Sequence, residues 1–114
     1  MWPKMYVLVR EDLPRQYASV QAGHAVAKLV YQWSASSQRT DTRLLEDWVN
    51  QSNVLVYLGA KNFDQLAEYA GKLARINIPW VQFIEPDLND ETTAIACILN
   101  EEQAKLFADL PLKR

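Results

Sequence analysis

The chain is poor in the residues from which most catalytic machinery is built. It has three glycines, one cysteine and one histidine in 114 residues. Three scattered glycines cannot make a phosphate-cradling loop, which needs several within a short span. A single Cys97 and a single His24, far apart in sequence, leave a zinc site without its ligands. No Gly-x-Ser-x-Gly turn occurs, so the nucleophile elbow of serine hydrolases is excluded. Cys97 has no partner for an internal disulfide and stands in an apolar run, as a small buried hydrophobe does. Such cysteine usage suits a reducing, intracellular compartment, so a cytoplasmic location is expected. Long hydrophobic runs are also missing. "MYVLV" is followed at once by Arg10, Glu11 and Asp12, too short for a signal-peptide core or a membrane span. No membrane partner is expected, and no segment implies a cofactor.

Charge of one sign is not in excess either, with a formal net charge of −2. Its distribution is uneven. Residues 1–43 hold six basic residues against three acidic ones, and residues 44–114 hold six against eleven. The basic first third, with Lys4, Arg10 and Arg15, is a candidate phosphate surface, although ordinary surface charge has the same composition.

Bulk is abundant. Apolar residues make up 49% of the chain, with four Trp, five Tyr and three Phe. One domain covering 1–114 is expected from the length, large enough to fold without disulfide staples. "MYVLVR" (5–10) reads as a buried strand. From Ala18 to Trp33, Val20, Gly23, Val26 or Ala27, and Val30 recur at helical spacing. "SASSQRTDT" (34–42) reads as a polar loop, and 43–51 as a short helix with Leu44, Leu45 and Trp48 on one face. "NVLVYLG" (53–59) is a second strand. Asn62 followed by Gln65 is a capping-box pattern opening a third helix that ends before Pro79. "WVQFIE" (80–85) and "TAIACIL" (93–99) are strands three and four. Asn100 with Gln103 repeats the capping pattern before a last helix that Pro111 ends. The order β-α-α-β-α-β-β-α predicts an α/β fold: a three-layer sandwich with a mixed four-stranded sheet. The short link between strands three and four leaves open whether they form a direct hairpin.

Two segments can carry chemistry. Gln21 and His24 stand near the start of the first helix, three apart and so on one face. They lie just beyond the carboxyl end of the first strand, where ligands gather in open α/β sheets. The helix N-terminus there favours anions. The second segment is "EPDLNDETT", leaving the third strand, with Asp87, Asn89, Thr92 and Thr93 as hydrogen-bonding groups. Glu85, Asp87, Asp90 and Glu91 have the composition of a carboxylate magnesium site and equally of an acidic surface loop, and no metal is assigned.

"MYVLVREDL", then "VQAGHA", then an apolar helix, and later an Asp-bearing loop with "TAIA", resemble the type 2 peptidyl-tRNA hydrolase family across nearly the whole chain. The resemblance implies a mixed four-stranded sheet between helices, often paired into dimers, so a homodimer is an expectation. It implies hydrolysis of the ester joining a peptide to the terminal ribose of tRNA, with peptidyl-tRNA as substrate and partner. Gln21 and His24 match the family's helix-start pair. Asp87 matches the Asp after the third strand, with Asp90 as the alternative, and Thr93 matches the threonine of the last strand, with Thr92 as the alternative. Arg10 and Asp12 match the turn after the first strand. Arg10, Arg15 and Lys4 are the candidates for tRNA phosphates. The chain departs from the pattern in "LPRQYAS", which carries no lysine where the family has one, and Tyr17 stands near that position. Histidine changes charge near neutral pH, so His24 suits general-base activation of water. Asp87 would orient it, and Gln21 and Thr93 would hold the water or the ester carbonyl. The alternative is a catalytically impaired module of the same fold that binds tRNA or a protein.

Overall fold

The structure, a computed structural model, describes residues 1–113. The chain runs β1 (Lys4–Arg10), α1 (Arg15–Ser34), α2 (Arg39–Asn50), β2 (Val54–Ala60), α3 (Phe63–Arg75), β3 (Val81–Glu85), β4 (Glu91–Leu99) and α4 (Glu101–Ala104), with 3-10 turns at Pro86–Leu88 and Lys105–Phe107. The sheet order is β2-β1-β4-β3, with β1 and β2 parallel and the other two pairings antiparallel. The expected mixed four-stranded α/β sandwich is present.

Both faces of the sheet are covered, and alternation along the strands sorts their side chains between them. Met5, Val7 and Val9 of β1 and Ala94, Ala96 and Ile98 of β4 face α1 and α2. Tyr6, Leu8, Ile95, Cys97 and Leu99 face α3 and the C-terminal turns. Buried on that second face, Cys97 has its thiol pushed far above the ordinary range, so it stays a neutral hydrophobe.

The buried stripe of α1 is not the one that valine spacing predicts. Val20 is 53% exposed and Val30 is 39% exposed. The buried positions are Ala18, Gln21, Ala22, Ala25, Leu29 and Trp33. Small residues on α1 meet small residues on β4, Ala94 and Ala96, so the helix can lie close to the sheet. The polar segment 34–42 is not all loop, because α2 begins at Arg39 with Asp41 in its first turn, where a carboxylate complements the helix dipole. The final helix is shorter than expected, continuing after Ala104 only as a 3-10 turn. Asn100 and Gln103 form the full capping box. At α3, Asn62 caps Gln65 N–H, but the Gln65 side chain accepts from Lys61 N–H instead of from Asn62. All four Trp pack on the two cores, Trp33 fully buried and Trp2, Trp48 and Trp80 partly.

Strands β3 and β4 form a direct hairpin. Its turn is a 3-10 turn followed by Asn89 and Asp90 in left-handed backbone, closed by Asp90 N–H donating to Glu85 C=O at 3.1 Å. The ladder slips inside this hairpin: Phe83 pairs with Ala94, but Ile84 pairs with Thr92. Thr93 is therefore the extra residue of a β-bulge.

At the far side of the sheet, the C-terminal tail covers part of the β2 edge. Gly59 N–H donates to Pro111 C=O and Lys113 N–H to Tyr57 C=O, each at 2.9 Å. An uncovered edge is a template for pairing with another chain. Deleting residues 111–114 should therefore produce concentration-dependent self-association, read by light scattering, with far-UV circular dichroism retained. A truncated chain that stays as dispersed as the full one would show that the tail does not protect this edge.

Candidate active site

The bulge decides which way Thr93 points. Strict alternation would send it to the α3 face with Ile95 and Cys97. The extra residue turns it to the α1 face beside Ala94, as bulges commonly re-aim side chains. There its hydroxyl donates to Gln21 Oε1 at 2.6 Å. Both residues are fully buried. Thr92 goes the other way. It lines a pocket against Phe63 and Leu66 of α3, and its hydroxyl donates to Gln82 Oε1 at 3.1 Å. Of the two threonines, Thr93 is the one brought to Gln21.

The other end of the Gln21 amide is free. Nε2 is buried with no hydrogen-bond partner among the described residues. A buried amide N–H without an acceptor carries a desolvation penalty that a ligand oxygen would remove. One turn further along α1, His24 is exposed, and its ring stacks on Phe83 of β3 with centroids 4.5 Å apart and planes 16° from parallel. The stack holds the ring by one face, and among the described residues no acceptor bonds either ring nitrogen. This differs from a packed histidine bonded to a backbone carbonyl.

Tyr17, Gln21, His24 and Lys28 follow one another at helical spacing and form a single stripe of α1. Each meets the β3–β4 hairpin. Tyr17 OH donates to Glu85 Oε1 at 2.8 Å, and Lys28 Nζ donates to Gln82 C=O at 2.8 Å. The Glu85 carboxylate, with Asp87 adding to it, holds the Tyr17 phenol above its ordinary range. For the two contacts missing from the sequence reading, Tyr17–Glu85 and His24–Phe83, only the shared faces were legible, and the pairings came from the fold. Tyr17 is four residues before Gln21, and Glu85 and Phe83 alternate on one face of their strand.

The remaining expected site residues do not converge equally. Asp87 is exposed on the 3-10 turn after β3, and Asp90 is exposed just beyond it. No hydrogen bond ties either to His24 among the described residues. Arg10 is committed elsewhere. Its Nε and Nη2 donate to Asp12 at 3.0 and 2.9 Å, and its Nη1 to Glu91 at 2.6 Å. With its side chain only 11% exposed, it clamps the β1–α1 turn to β4, and a phosphate would have to displace a carboxylate to reach it. The same guanidinium holds Asp12 below the usual carboxylate range. Arg15 is exposed at the first position of α1, whose N-cap Pro14 supplies no side-chain cap. Lys4 is at the opposite end of β1, about 20 Å away by strand rise. Its ammonium lies 4.2 Å from the Trp2 ring centroid. Among the described residues no group of three or more His, Cys, Asp or Glu is placed to hold a metal ion.

The Thr93–Gln21 pair makes a sharp stability prediction. Thr93→Val should cost about 1–3 kcal/mol, because it strands both ends of a buried amide. Adding Gln21→Leu should recover much of that loss, because both polar partners are then gone. Thermal unfolding of the single and double variants checks both statements.

A family model for peptidyl-tRNA hydrolase PTH2 matches residues 3–106. No curated protein matches the chain. The matched span contains all four strands and every residue of the site just described. The chain belongs to the peptidyl-tRNA hydrolase PTH2 family.

Proposed function

We propose that this chain hydrolyses the ester between a peptide and the terminal ribose of tRNA, with the chemistry where the Tyr17–Lys28 stripe of α1 meets the β3–β4 hairpin. One observation carries the reading beyond family membership: the buried Gln21 amide is fixed by Thr93 and leaves Nε2 unpartnered, one helical turn from an exposed histidine.

The ester carbonyl oxygen takes Gln21 Nε2–H. His24 accepts a proton from water as the water oxygen bonds to the acyl carbon, and the carbonyl electron pair moves onto oxygen. The resulting oxyanion is held by an amide that Thr93 has already oriented, so little reorganisation is needed when charge develops. Collapse breaks the bond to the ribose oxygen, which takes the proton from the imidazolium. The products are the peptide acid and tRNA with its hydroxyl restored. Asp87, exposed on the 3-10 turn after β3, is the acidic residue of this reading that would orient the imidazole. Thr93 acts through Gln21 and is a positioning residue.

For the tRNA body, Arg15 and the uncapped start of α1 are the phosphate-binding elements of this reading. Arg10 has a supporting role as the clamp on the turn that presents them, and Lys4 belongs to a separate, distant surface. A second copy of the chain is the remaining partner expectation, decided by sedimentation over a range of concentrations.

The test is release of N-acetylaminoacyl groups from tRNA by the purified protein. His24→Ala should lower kcat by about 10²–10⁴. Gln21→Ala should lower it by about 10²–10³, the loss typical of one oxyanion donor. Release that persists undiminished in both variants would place the chemistry elsewhere. No release by the wild type, with tRNA binding retained, would favour the impaired-module reading. Substrate affinity should also fall as salt rises, linearly on a log–log scale. Arg15→Ala should make that slope shallower by about one phosphate contact.

A further inference from the structure

The reaction above uses one flank of α1, the stripe that meets the β3–β4 hairpin. Ser19, Gly23 and Val26 stand on the other flank, toward β2. The helix lies over β1, β4 and β3, and β2 is left beside it as the far wall of an open groove. The groove has a volume of about 410 Å³. Buried Val7 of β1 lies at its floor, and Leu55 and Tyr57 of β2 line the side across from the helix. No lining residue carries a charge, and Ser19 and Tyr57 bring the only polar side chains.

Two observations point to an occupant. The first is Gly23. Glycine inside a helix is less favourable than alanine, and it is retained where φ is positive or a neighbour comes close. Gly23 meets neither condition. Its φ is not positive, and a Cβ built there would meet nothing within 4 Å. Nothing in the described chain requires the missing side chain, and its absence keeps the groove open along the helix. The second observation is Tyr57. The hydroxyl of this lining residue is buried and has no hydrogen-bond partner among the described residues. Such a group carries a desolvation penalty that an acceptor oxygen would remove. The two observations are independent and fall on opposite walls of one groove.

We propose that the groove between α1 and β2 binds a neutral, largely apolar small molecule whose acceptor oxygen takes the Tyr57 O–H. Its volume falls in the range of small-molecule sites, and an apolar lining with a few polar groups is their usual chemistry. A phosphate or carboxylate seated there would find no cation, so the occupant is uncharged. The Ser19 hydroxyl donates to Arg15 C=O at 3.2 Å, so it offers the ligand an acceptor and leaves Tyr57 as the donor. A purely apolar surface laid over α1 would cover Gly23 and leave the Tyr57 hydroxyl unpaired. The site is separate from the His24 flank and does not depend on the hydrolase reading.

The experiment titrates the full chain with 2-acetylnaphthalene and with 2-isopropenylnaphthalene, which has the same shape but carries C=CH2 in place of C=O. Binding is read from the backbone amide NMR signals. Both probes should shift the amides of Gly23, Val26 and Tyr57 saturably. Tyr57→Phe should weaken the ketone relative to the alkene by about 2- to 10-fold, the worth of one neutral hydrogen bond. Gly23→Leu fills the groove from the helix side. It should abolish binding of both probes with a thermal midpoint no lower than that of the wild type, because leucine is the better helix former. No shift at these amides up to the solubility limit overturns the proposal, as does binding that Gly23→Leu leaves intact. A ketone-to-alkene ratio unchanged by Tyr57→Phe overturns the acceptor-oxygen assignment. Sedimentation of the same samples covers the remaining occupant. A wild-type dimer that takes up neither probe and becomes a monomer on Gly23→Leu would show that a second copy fills the groove, and the ligand site would be overturned.

Discussion

The site depends on one buried hydrogen bond, from Thr93 to Gln21. It joins the middle of the sheet to the helix that covers it. It exists only because β4 carries one residue more than β3 across the hairpin. Without the bulge the hydroxyl would face α3, and Gln21 would be a buried amide with no partner at either end. With it, one end of the amide is anchored and the other is held ready. Stability and preorganisation therefore come from the same contact, at the cost of leaving one polar atom unsatisfied.

Close approach of α1 to the sheet is the condition for that bond. Alanines 18, 22 and 25 on the helix and 94 and 96 on β4 keep the layers near one another. A valine stripe in their place would have lifted the helix and opened the gap between Gln21 and Thr93. The larger side chains of α1 are pushed outward instead, which is why Val20 and Val30 meet solvent. His24 and Tyr17 then reach β3 from the same stripe, one by stacking on Phe83 and one by a hydrogen bond to Glu85.

Charge around the site is divided by a single arginine. Arg10 holds Asp12 and Glu91, so the turn after β1 is tied to β4 and the local excess of acidic residues is partly cancelled. Glu85 and Asp87 stay outside that clamp. The end of β3 and the turn after it are therefore negative, while the start of α1 carries Arg15 and has no side-chain cap. Under the proposed reading, a polyanionic substrate would meet the helix end.

Sequence alone determined the order of elements, the mixed sheet and the placement of Gln21 and His24 on one face of α1. Those follow from local periods, caps and turn residues, which act over a few positions. The capping box at Asn100 and Gln103 is of this kind. Several features were decided only by tertiary structure. Helical spacing put Val20 and Val30 on the packed face of α1, and packing against β4 chose Ala18, Ala22 and Ala25 instead. A bulge is a mismatch between two strands, so nothing in β4 by itself marks Thr93 over Thr92. Arg10 looked available for phosphate until the fold brought Glu91 from the far end of the chain to its third donor. Tyr17 was a departure from a family pattern until Glu85, 68 residues away, supplied its partner. Each is a contact between distant segments, whose geometry exists only once the layers have closed.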